Sequence, residues 1–372
     1  MKNTFKIIIS LSLLMAFGAC TTNDKDPVVS ANGFNLAQPV TGTTYVLTPQ
    51  NAASDLLTLT WDKSDNGVTA VPVYTIEIAE SGTNFADPLI AVKTSDLAPA
   101  DNYTWKVGYL NELLNRIGFA PCESLNIDVR VKSTLGTVEN NAFIQYSNVV
   151  SLSVTPYSLD LPLLAFSADS TITTATPKLA ASGILNTDYE GYMWLNAGSY
   201  KFYKPNSCGQ FSAATIYGDD DSGSFNTLIL NGSGYDVITA GYYLVKADTA
   251  TGMYSVRPTT WNLFGTAKPN FPGANTLLVY DQSEKVWRIT LNLKSGYEIK
   301  FRTNGTSSAA FVLGKYSGAS DGTLNFGGPL LTYNGGDLTV PGTRTPITIV
   351  SYNVVLDLSS PRNYKYSITP GN

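Results

Sequence analysis

The stretch LNIDVRVK, residues 125–132, alternates apolar and polar side chains along its whole length. A period of two is the pattern of a β-strand that buries one face and exposes the other. The same alternation occurs in three further stretches: LTLTW at 57–61, YTIEI at 74–78 and VSLSV at 150–154. Strands that each bury one face need a second layer to pack against, so this part of the chain predicts an antiparallel β-sandwich.

One helix is expected within the same region. The stretch LNELLNRIG, residues 110–118, has leucine or isoleucine at positions i, i+3, i+4 and i+7 and ends in a glycine that can cap a helix. Antiparallel strands at this spacing, with Trp61 early and Tyr74 on the next strand, are typical of an immunoglobulin-like or fibronectin-III-like sandwich. Both aromatic residues continue an apolar face, so we predict that they belong to the core.

The second half of the chain repeats itself. GSYKFY at 198–203 recurs as GYEIKFR at 296–302, with Phe202 and Phe301 in equivalent positions 99 residues apart. Two further pairs of stretches match in the same order: YYLV at 242–245 with YNVV at 352–355, and MYSV at 253–256 with KYSI at 365–368. The last pair is 112 residues apart, so the second copy is expected to carry 13 extra residues, within 331–348.

A repeat of this length is a domain rather than a unit of a solenoid. Each copy contains several short alternating strands divided by Gly, Asn, Asp and Pro, which predicts a small sandwich. The sequence therefore predicts an all-β protein of three tandem β-sandwich domains, at 28–156, 157–258 and 259–372. The last two are related to each other.

The first 27 residues read as an export signal and a tether. Residues 1–19 contain two lysines and then an apolar stretch that is shorter than the about 18 residues of a membrane-spanning helix. Gly18 and Ala19 precede Cys20, which resembles a lipobox and predicts lipidation of Cys20. Residues 20–27 are polar and partly acidic, as in a flexible tether. The alternative is an ordinary secretory signal whose cleavage site contains a cysteine.

The cysteine count supports lipidation. The chain has three cysteines, Cys20, Cys122 and Cys208, whereas an exported protein that uses disulfides tends to have an even number. Because Cys122 and Cys208 fall in different predicted domains, we expect them to be two buried free thiols.

Composition removes several classes of function. The chain has no histidine, which excludes Ser-His-Asp and Cys-His nucleophiles and His-ligated zinc. Its net charge of −5 and its lack of a basic run make nucleic acid an unsuitable partner. The dense acidic cluster Asp219-Asp220-Asp221 lies on consecutive residues whose side chains point apart, unlike the paired carboxylates of a glycosidase. A solvated loop is the favoured interpretation and part of a Ca²⁺ site the less favoured one, so we predict no enzyme, no metal and no cofactor.

The aromatic content favours carbohydrate binding. The chain has 22 tyrosines, many near predicted turns, and only 14% charged residues. A sugar ring has an apolar C–H face that packs on an aromatic plane, and its hydroxyl groups need planar or charged partners. Tyrosines are common in strands for packing reasons as well, but in duplicated exported sandwiches the set as a whole predicts glycan binding.

Three features together resemble the SusE/SusF family of outer-membrane starch-binding lipoproteins. They are the lipobox with its acidic tether, a first sandwich that ends in YSNVVSLSVTP at 146–156, and the repeated Gly-x-x-x-Lys-Phe-Arg module. The most specific segment is 260–302, which contains TWNLFGTA, VWRITLNL and KFR. Resemblance to the SusE branch implies one N-terminal immunoglobulin-like domain, two carbohydrate-binding domains and a place on the outer membrane facing the cell exterior. It also implies two protein partners, an outer-membrane glycan transporter and its lid-like lipoprotein.

The chain departs from the family where the ligand would bind. The family has Trp platforms after the TWNLFGTA strand and after the Lys-Phe-Arg strand, whereas here those places read NFPG at 270–273 and SSAA at 307–310. Seven residues form the predicted glycan-binding set: Phe211 and Tyr217 as a stacking surface with Lys201 or Lys204 as donors in the second domain, and Phe271 as a stacking ring with Lys300 and Arg302 as donors in the third. Alternation puts Lys300 and Arg302 on one face of their strand.

These features predict a non-catalytic surface lipoprotein that binds starch or another polysaccharide for a glycan-uptake system at the outer membrane. The alternative is a structural or adhesin lipoprotein that binds protein partners through exposed sheet edges and has no affinity for glycans.

Overall fold

The computed structural model of the protein describes residues 33–65, 71–93, 101–135, 144–212, 214–273, 276–304, 312–315, 331–333 and 335–371. Within these ranges it has 28 β-strands and one α-helix, so the predicted all-β class is confirmed. The signal sequence, Cys20 and the tether lie outside the described residues. The chain forms two compact units, Met1–Ser158 and Leu159–Asn372.

The first unit contains two β-sheets. Its elements are β1 Leu36–Gln38, β2 Thr44–Val46, β3 Asp55–Trp61, β4 Pro72–Glu80, β5 Leu89–Lys93, β6 Asn102–Lys106, α1 Val107–Arg116, β7 Leu125–Leu135, β8 Gln145–Tyr146 and β9 Val150–Thr155. The sheet orders are β1-β3-β6 and β2-β9-β7-β4-β5, and β8 pairs with β7. The four alternating stretches of the sequence lie in β3, β4, β7 and β9, each with one buried face.

Aromatic and leucine side chains fill the core of the first unit. Trp61 and Tyr74 are both buried, with ring centroids 5.5 Å apart in an edge-on contact, as predicted. The three leucines of α1 are buried in the same cluster. Gly118, just after the helix, has a φ of +86°, a left-handed conformation that glycine adopts without steric cost.

The second unit contains nineteen described strands. The first nine are β10 Leu163–Ser167, β11 Lys178–Ala181, β12 Asp188–Leu195, β13 Gly198–Lys204, β14 Thr215–Asp219, β15 Leu228–Leu230, β16 Tyr235–Val237, β17 Gly241–Asp248 and β18 Met253–Pro258. The others are β19 Trp261–Phe264, β20 Thr276–Leu277, β21 Val279–Asp281, β22 Val286–Lys294, β23 Glu298–Thr303, β24 Val312–Lys315, β25 Leu331–Tyr333, β26 Leu338–Thr339, β27 Ile349–Asp357 and β28 Lys365–Pro370.

The strand pairing repeats within this unit. Strands β10–β18 form one sheet in the order β15-β14-β13-β10-β11-β12-β17-β18, with β16 beside β13. Strands β19–β28 repeat these neighbours as β20-β19-β23-β24-β25, with β26 beside β23, and β21-β22-β27-β28. The difference is that β11 is continuous, whereas its counterpart is divided into β20 and β21 on separate sheets. We call β10–β18 the second module and β19–β28 the third module; their status as separate domains stays a prediction.

Strand register changes one predicted equivalence by one residue. Tyr243 pairs with Met193 in the core of the second module, and Tyr352 pairs with Leu291 at the core of the third. Tyr352 therefore corresponds to Tyr243 and not to Tyr242, because a slip of one residue turns every side chain to the other face. The loop between β27 and β28 is also three residues longer than the loop between β17 and β18. Part of the predicted insertion consequently lies in 358–364.

The two modules share a hydrophobic core. Tyr192 and Tyr242 of the second module belong to the same buried cluster as Trp261 and Trp287 of the third. The ring centroids of Tyr192 and Trp261 are 5.6 Å apart, and those of Tyr242 and Trp287 are 5.2 Å apart. Strands β12 and β17 are therefore buried on both faces.

The longer loop of the third module contacts the second module. Arg362 donates hydrogen bonds to the carbonyl oxygen of Ala180 at 3.3 Å, and to the carbonyl oxygen and carboxylate of Asp188 at 2.9 and 3.0 Å. The Tyr364 hydroxyl donates to the buried carboxylate of Glu190 at 2.9 Å. Burial and, secondarily, the Glu190 charge raise the pKa of Tyr364, so this hydroxyl stays protonated and remains a donor.

Cys122 and Cys208 are both disulfide-bonded, so the expectation of free thiols is wrong. That expectation rested on domain assignment alone, which contains no information on distance. The third cysteine is Cys20, the predicted lipidation residue.

We expect Arg362→Ala to lower the free energy of unfolding of the second unit by about 1–2 kcal/mol, because it removes hydrogen bonds from a charged donor. The effect should also depend on pH. Burial alone would raise the pKa of Asp188, but hydrogen bonds from Ser182 and the charge of Arg362 outweigh it and lower that pKa. A lowered pKa stabilises the fold above the group's ordinary value of about 4, and this stabilisation is lost as the pH falls through the folded-state value.

Urea unfolding of the full chain measures both effects. The wild type should lose more stability than Arg362→Ala between about pH 5 and pH 3. Arg257→Ala is the matched control, because it removes the same charge from an exposed side chain of the same unit. An equal loss in both variants would contradict a specific role for Arg362.

Candidate functional site

One face of the third module brings two of the predicted donors together. Strands β19 and β23 are antiparallel neighbours, with Asn262 opposite Arg302 and Phe264 opposite Lys300. Phe301, between the two cations, is fully buried. The side chains of Lys300 and Arg302 therefore point to the other face of the sheet. We call the set Asn262, Phe264, Lys300 and Arg302 the β23 outer face.

Each cation on this face has a partner. The guanidinium carbon of Arg302 lies 3.9 Å from the centroid of the Phe264 ring, close enough for a cation–π contact. The ammonium nitrogen of Lys300 lies 3.2 Å from a carboxylate oxygen of Asp337. A guanidinium over a ring keeps its N–H groups, which lie in its own plane, available for other acceptors. The Lys300–Asp337 pair sets a donor beside an acceptor, and both side chains are partly solvent-exposed.

Phe264 is not among the residues predicted from the sequence. Trp261 and Leu263 are fully buried, so alternation along WNLF puts Asn262 and Phe264 on the opposite face. That signal is present in the sequence. The pairing of β19 with β23, which brings Phe264 to Arg302, depends on contacts between distant parts of the chain.

Phe271 lies apart from this face, in the loop between β19 and β20. Its side chain is 45% exposed, and its backbone N–H donates to the carbonyl of Lys268 at 3.2 Å. In the part of the chain that the structure describes, its ring makes no aromatic or cation contact with Phe264 or Arg302. Residues 307–310, where the family has a Trp platform, lie outside the described residues.

The equivalent face of the second module has a different character. Lys201 points away from the core, but Tyr203, at the position of Arg302, is buried. Lys204 is two positions from the buried Phe202 and therefore points to the core-facing side, at the end of the strand. Lys201 and Lys204 consequently lie on opposite faces of β13.

Tyr217 and Phe211 have different surroundings. Tyr217 lies directly opposite Phe202, so its ring faces the core, and it packs against the buried cluster of the second module. Phe211 is partly buried in the loop between β13 and β14, with the ammonium of Lys178 at 5.9 Å from its ring centroid. Lys178 also donates to three backbone carbonyls within residues 173–176, and burial lowers its pKa. The cation at Phe211 is thus one that the sequence analysis did not single out.

The acidic cluster after β14 has a structural role. Asp219 is buried, and its carboxylate accepts hydrogen bonds from the Tyr254 hydroxyl and from the backbone N–H of Asp221. Asp221 in turn accepts from the hydroxyl of Ser233. Burial first, and then the hydrogen bond to Asp219, raise the pKa of Tyr254. Among the described residues, no group of three His, Cys, Asp or Glu side chains could hold a metal ion.

A cleft of about 400 Å³ opens beside the contact between the two modules. The ladder of β12 and β17 lines it with charges, because Asp188 lies opposite Asp248 and Glu190 opposite Lys246. The Lys246 ammonium is 2.8 Å from Glu190, and Arg362 is 3.0 Å from Asp188. The charges that border the cleft therefore pair with one another and stabilise the contact between the modules.

Comparison with known proteins identifies the N-terminal part of the chain. Residues 23–132 match the family model described as SusE outer membrane protein. No curated protein matches the chain. A match among solved structures is the crystal structure of SusF from Bacteroides thetaiotaomicron, with 12% identity, coverage of 91% of this chain and 76% of that chain, and a TM-score of 0.29. At this TM-score the likeness carries no argument about fold or function.

The family match confirms the predicted kinship with SusE/SusF proteins and the predicted location at the outer membrane. The chain is a Sus-type outer-membrane surface protein. Across the residues that the structure describes, none of the helices has the length and hydrophobicity needed to cross a membrane.

We expect Tyr217→Ala to lower the free energy of unfolding by about 2–3 kcal/mol, because the ring packs against a core and its removal leaves a cavity. Tyr217→Phe keeps the ring and should cost less than about 1 kcal/mol. Phe211→Ala is the control, since this ring lies outside the core cluster and its loss should change stability little. Urea unfolding measures all three variants. A Tyr217→Ala variant as stable as the wild type would contradict the core-facing position.

Proposed function

We propose that this protein is a non-catalytic, lipid-anchored surface protein that binds polysaccharide for a glycan-uptake system at the outer membrane. The observation that carries the proposal is the β23 outer face, where a guanidinium, an ammonium–carboxylate pair and an aromatic ring lie on one side of a sheet. The SusE match of residues 23–132 supports the same reading.

The chemistry of this face suits sugar hydroxyl groups. The fork of Arg302 can donate to two adjacent hydroxyls at once. Lys300 can donate to a further hydroxyl while Asp337 accepts a proton from one. The part of the Phe264 ring that Arg302 leaves uncovered offers an apolar surface to sugar C–H groups. These contacts bind a glycan without any bond being broken, which agrees with a non-catalytic role.

The same residues bear on which glycan is bound. Positions that hold stacking tryptophans in the family are NFPG and SSAA in this chain, whereas the β23 outer face depends on cations. Arg and Lys bind carboxylates more strongly than neutral hydroxyls. Glycans that contain uronic acids are therefore candidates beside starch and other neutral polysaccharides.

The proposed partners follow from the resemblance to the SusE/SusF family. They are an outer-membrane glycan transporter and its lid-like lipoprotein, with the membrane contacted through lipid on Cys20. Two acyl chains on one cysteine are sufficient for stable anchoring. We expect Cys20→Ala to release the protein from the membrane fraction into the soluble fraction, as measured by fractionation and immunoblotting. Retention in the membrane would contradict lipid anchoring at Cys20.

A second candidate function is adhesion to protein partners. Strand β15 is the last strand in its sheet order, and Ile229, Leu230 and the nearby Phe225 are all exposed. An exposed apolar sheet edge is a surface on which another chain can add a strand. Affinity electrophoresis across a broad glycan panel separates the two functions: retardation by a glycan supports capture, and no retardation by any glycan supports adhesion. Release of reducing ends from a polysaccharide would contradict both proposals.

We expect Arg302→Ala to weaken binding of retained glycans by about tenfold, a loss of ~1.4 kcal/mol for a charged hydrogen-bond donor. Arg302→Lys should lie between the two, because it keeps the charge and loses the planar fork. Affinity electrophoresis with the full chain measures the change. Arg257→Ala, which removes an exposed arginine elsewhere in the unit, should bind as the wild type does. Unchanged binding of every retained glycan by Arg302→Ala would refute this site.

A further inference from the structure

Trp194 differs from the other four tryptophans. All five lie in the described residues, and Trp61, Trp105, Trp261 and Trp287 are at most 5% exposed. Trp194 is partly exposed and packs only at the edge of the core shared by the two modules. A large aromatic side chain left partly in water adds little to the core, so its position calls for another explanation.

The ring of Trp194 is parallel to that of Tyr280. Their centroids are 5.7 Å apart and their planes differ by 3°. Trp194 is on β12 of the second module and Tyr280 on β21 of the third, so the pair exists only because the two modules are in contact. Parallel rings present their faces in one direction. We call these two partly exposed rings the junction platform.

The platform is held in place by its surroundings. Tyr280 packs against the buried rings of Tyr242 and Trp287, with centroids at 4.5 and 5.4 Å. The indole N–H of Trp194 donates to the side-chain oxygen of Asn196 at 3.2 Å. Because both rings are fixed before any ligand arrives, binding loses little side-chain entropy.

We propose that the junction platform is a second glycan-binding surface, which takes the apolar face of a neutral pyranose ring within an oligosaccharide. The proposal rests on the proposed function and adds a site with a different preference. None of the cation–ring contacts among the described residues involves Trp194 or Tyr280, so stacking dominates here. The exposed amide of Asn196 lies beside the indole and can pair with a sugar hydroxyl.

A sugar suits the platform better than a protein partner does. Stable protein interfaces bury about 800 Å² on each side, whereas two partly exposed rings offer only a fraction of that area. One pyranose ring matches the size of an aromatic plane, and Tyr and Trp provide such planes at low conformational cost.

The test compares Trp194→Ala with the wild type, as the full chain in detergent, using maltoheptaose, cellohexaose and mannohexaose as neutral probes. For the probes that the wild type binds, we expect Trp194→Ala to bind about tenfold more weakly, the size of an aromatic contact worth ~1.4 kcal/mol. Trp194→Phe, which keeps a ring, should lose less affinity. Trp194→Phe should also abolish the change in intrinsic fluorescence that saturating probe causes in the wild type, because the other tryptophans are buried.

Phe225→Ala is the matched control, since it removes a 58% exposed ring of the same unit away from the platform, and it should bind as the wild type does. Thermal unfolding establishes that each variant is folded. Equal affinity of Trp194→Ala and wild type for every bound probe would overturn the junction platform and leave the proposed function intact. A wild type that binds no glycan, neutral or acidic, would overturn both. If Trp194→Ala changes co-purification with a protein while glycan affinity is unchanged, the platform is a protein-docking surface and our proposal is wrong.

Discussion

The second unit depends on one strand pair, β12 with β17, that is buried on both faces. Tyr243 and Val245 face the core of the second module, and Tyr242 and Leu244 face the core shared with the third. The close approach of β12 to β11 needs Gly191, because a Cβ there would lie 2.7 Å from the Lys178 carbonyl oxygen. Two repeats that could have been independent sandwiches are consequently one compact unit.

The same double burial explains what could be predicted from the sequence. Strand β7 and helix α1 each have one apolar face, so their periods of 2 and 3.6 are visible and their positions agree with the prediction. In YYLV at 242–245 both faces are apolar and the alternation disappears. Either register then fits the pattern, which is why Tyr242 instead of Tyr243 is aligned with Tyr352 by sequence alone. The contacts of Arg362 depend on a loop insertion and have no local signal.

The candidate site divides in the same way. Lys300 and Arg302 face one side of β23 because alternation within a single strand determines it. Their partners Phe264 and Asp337 come from other strands and loops, and no periodicity connects them. Tyr217 illustrates the cost of unknown register: a tyrosine before a glycine suggests a stacking residue, but pairing opposite Phe202 turns its ring toward the core.

The contact between the modules also bears on how a polysaccharide would be selected. The β23 outer face and the junction platform belong to one compact unit, so a glycan held at one surface meets the other at a high effective concentration. Each surface alone has few polar contacts and would bind a single sugar weakly. A fixed spacing then favours polymers whose shape reaches both surfaces. Because Arg362 and Tyr364 hold the third module against β12, the residues that distinguish the two repeats would also determine which glycans gain from bivalent binding.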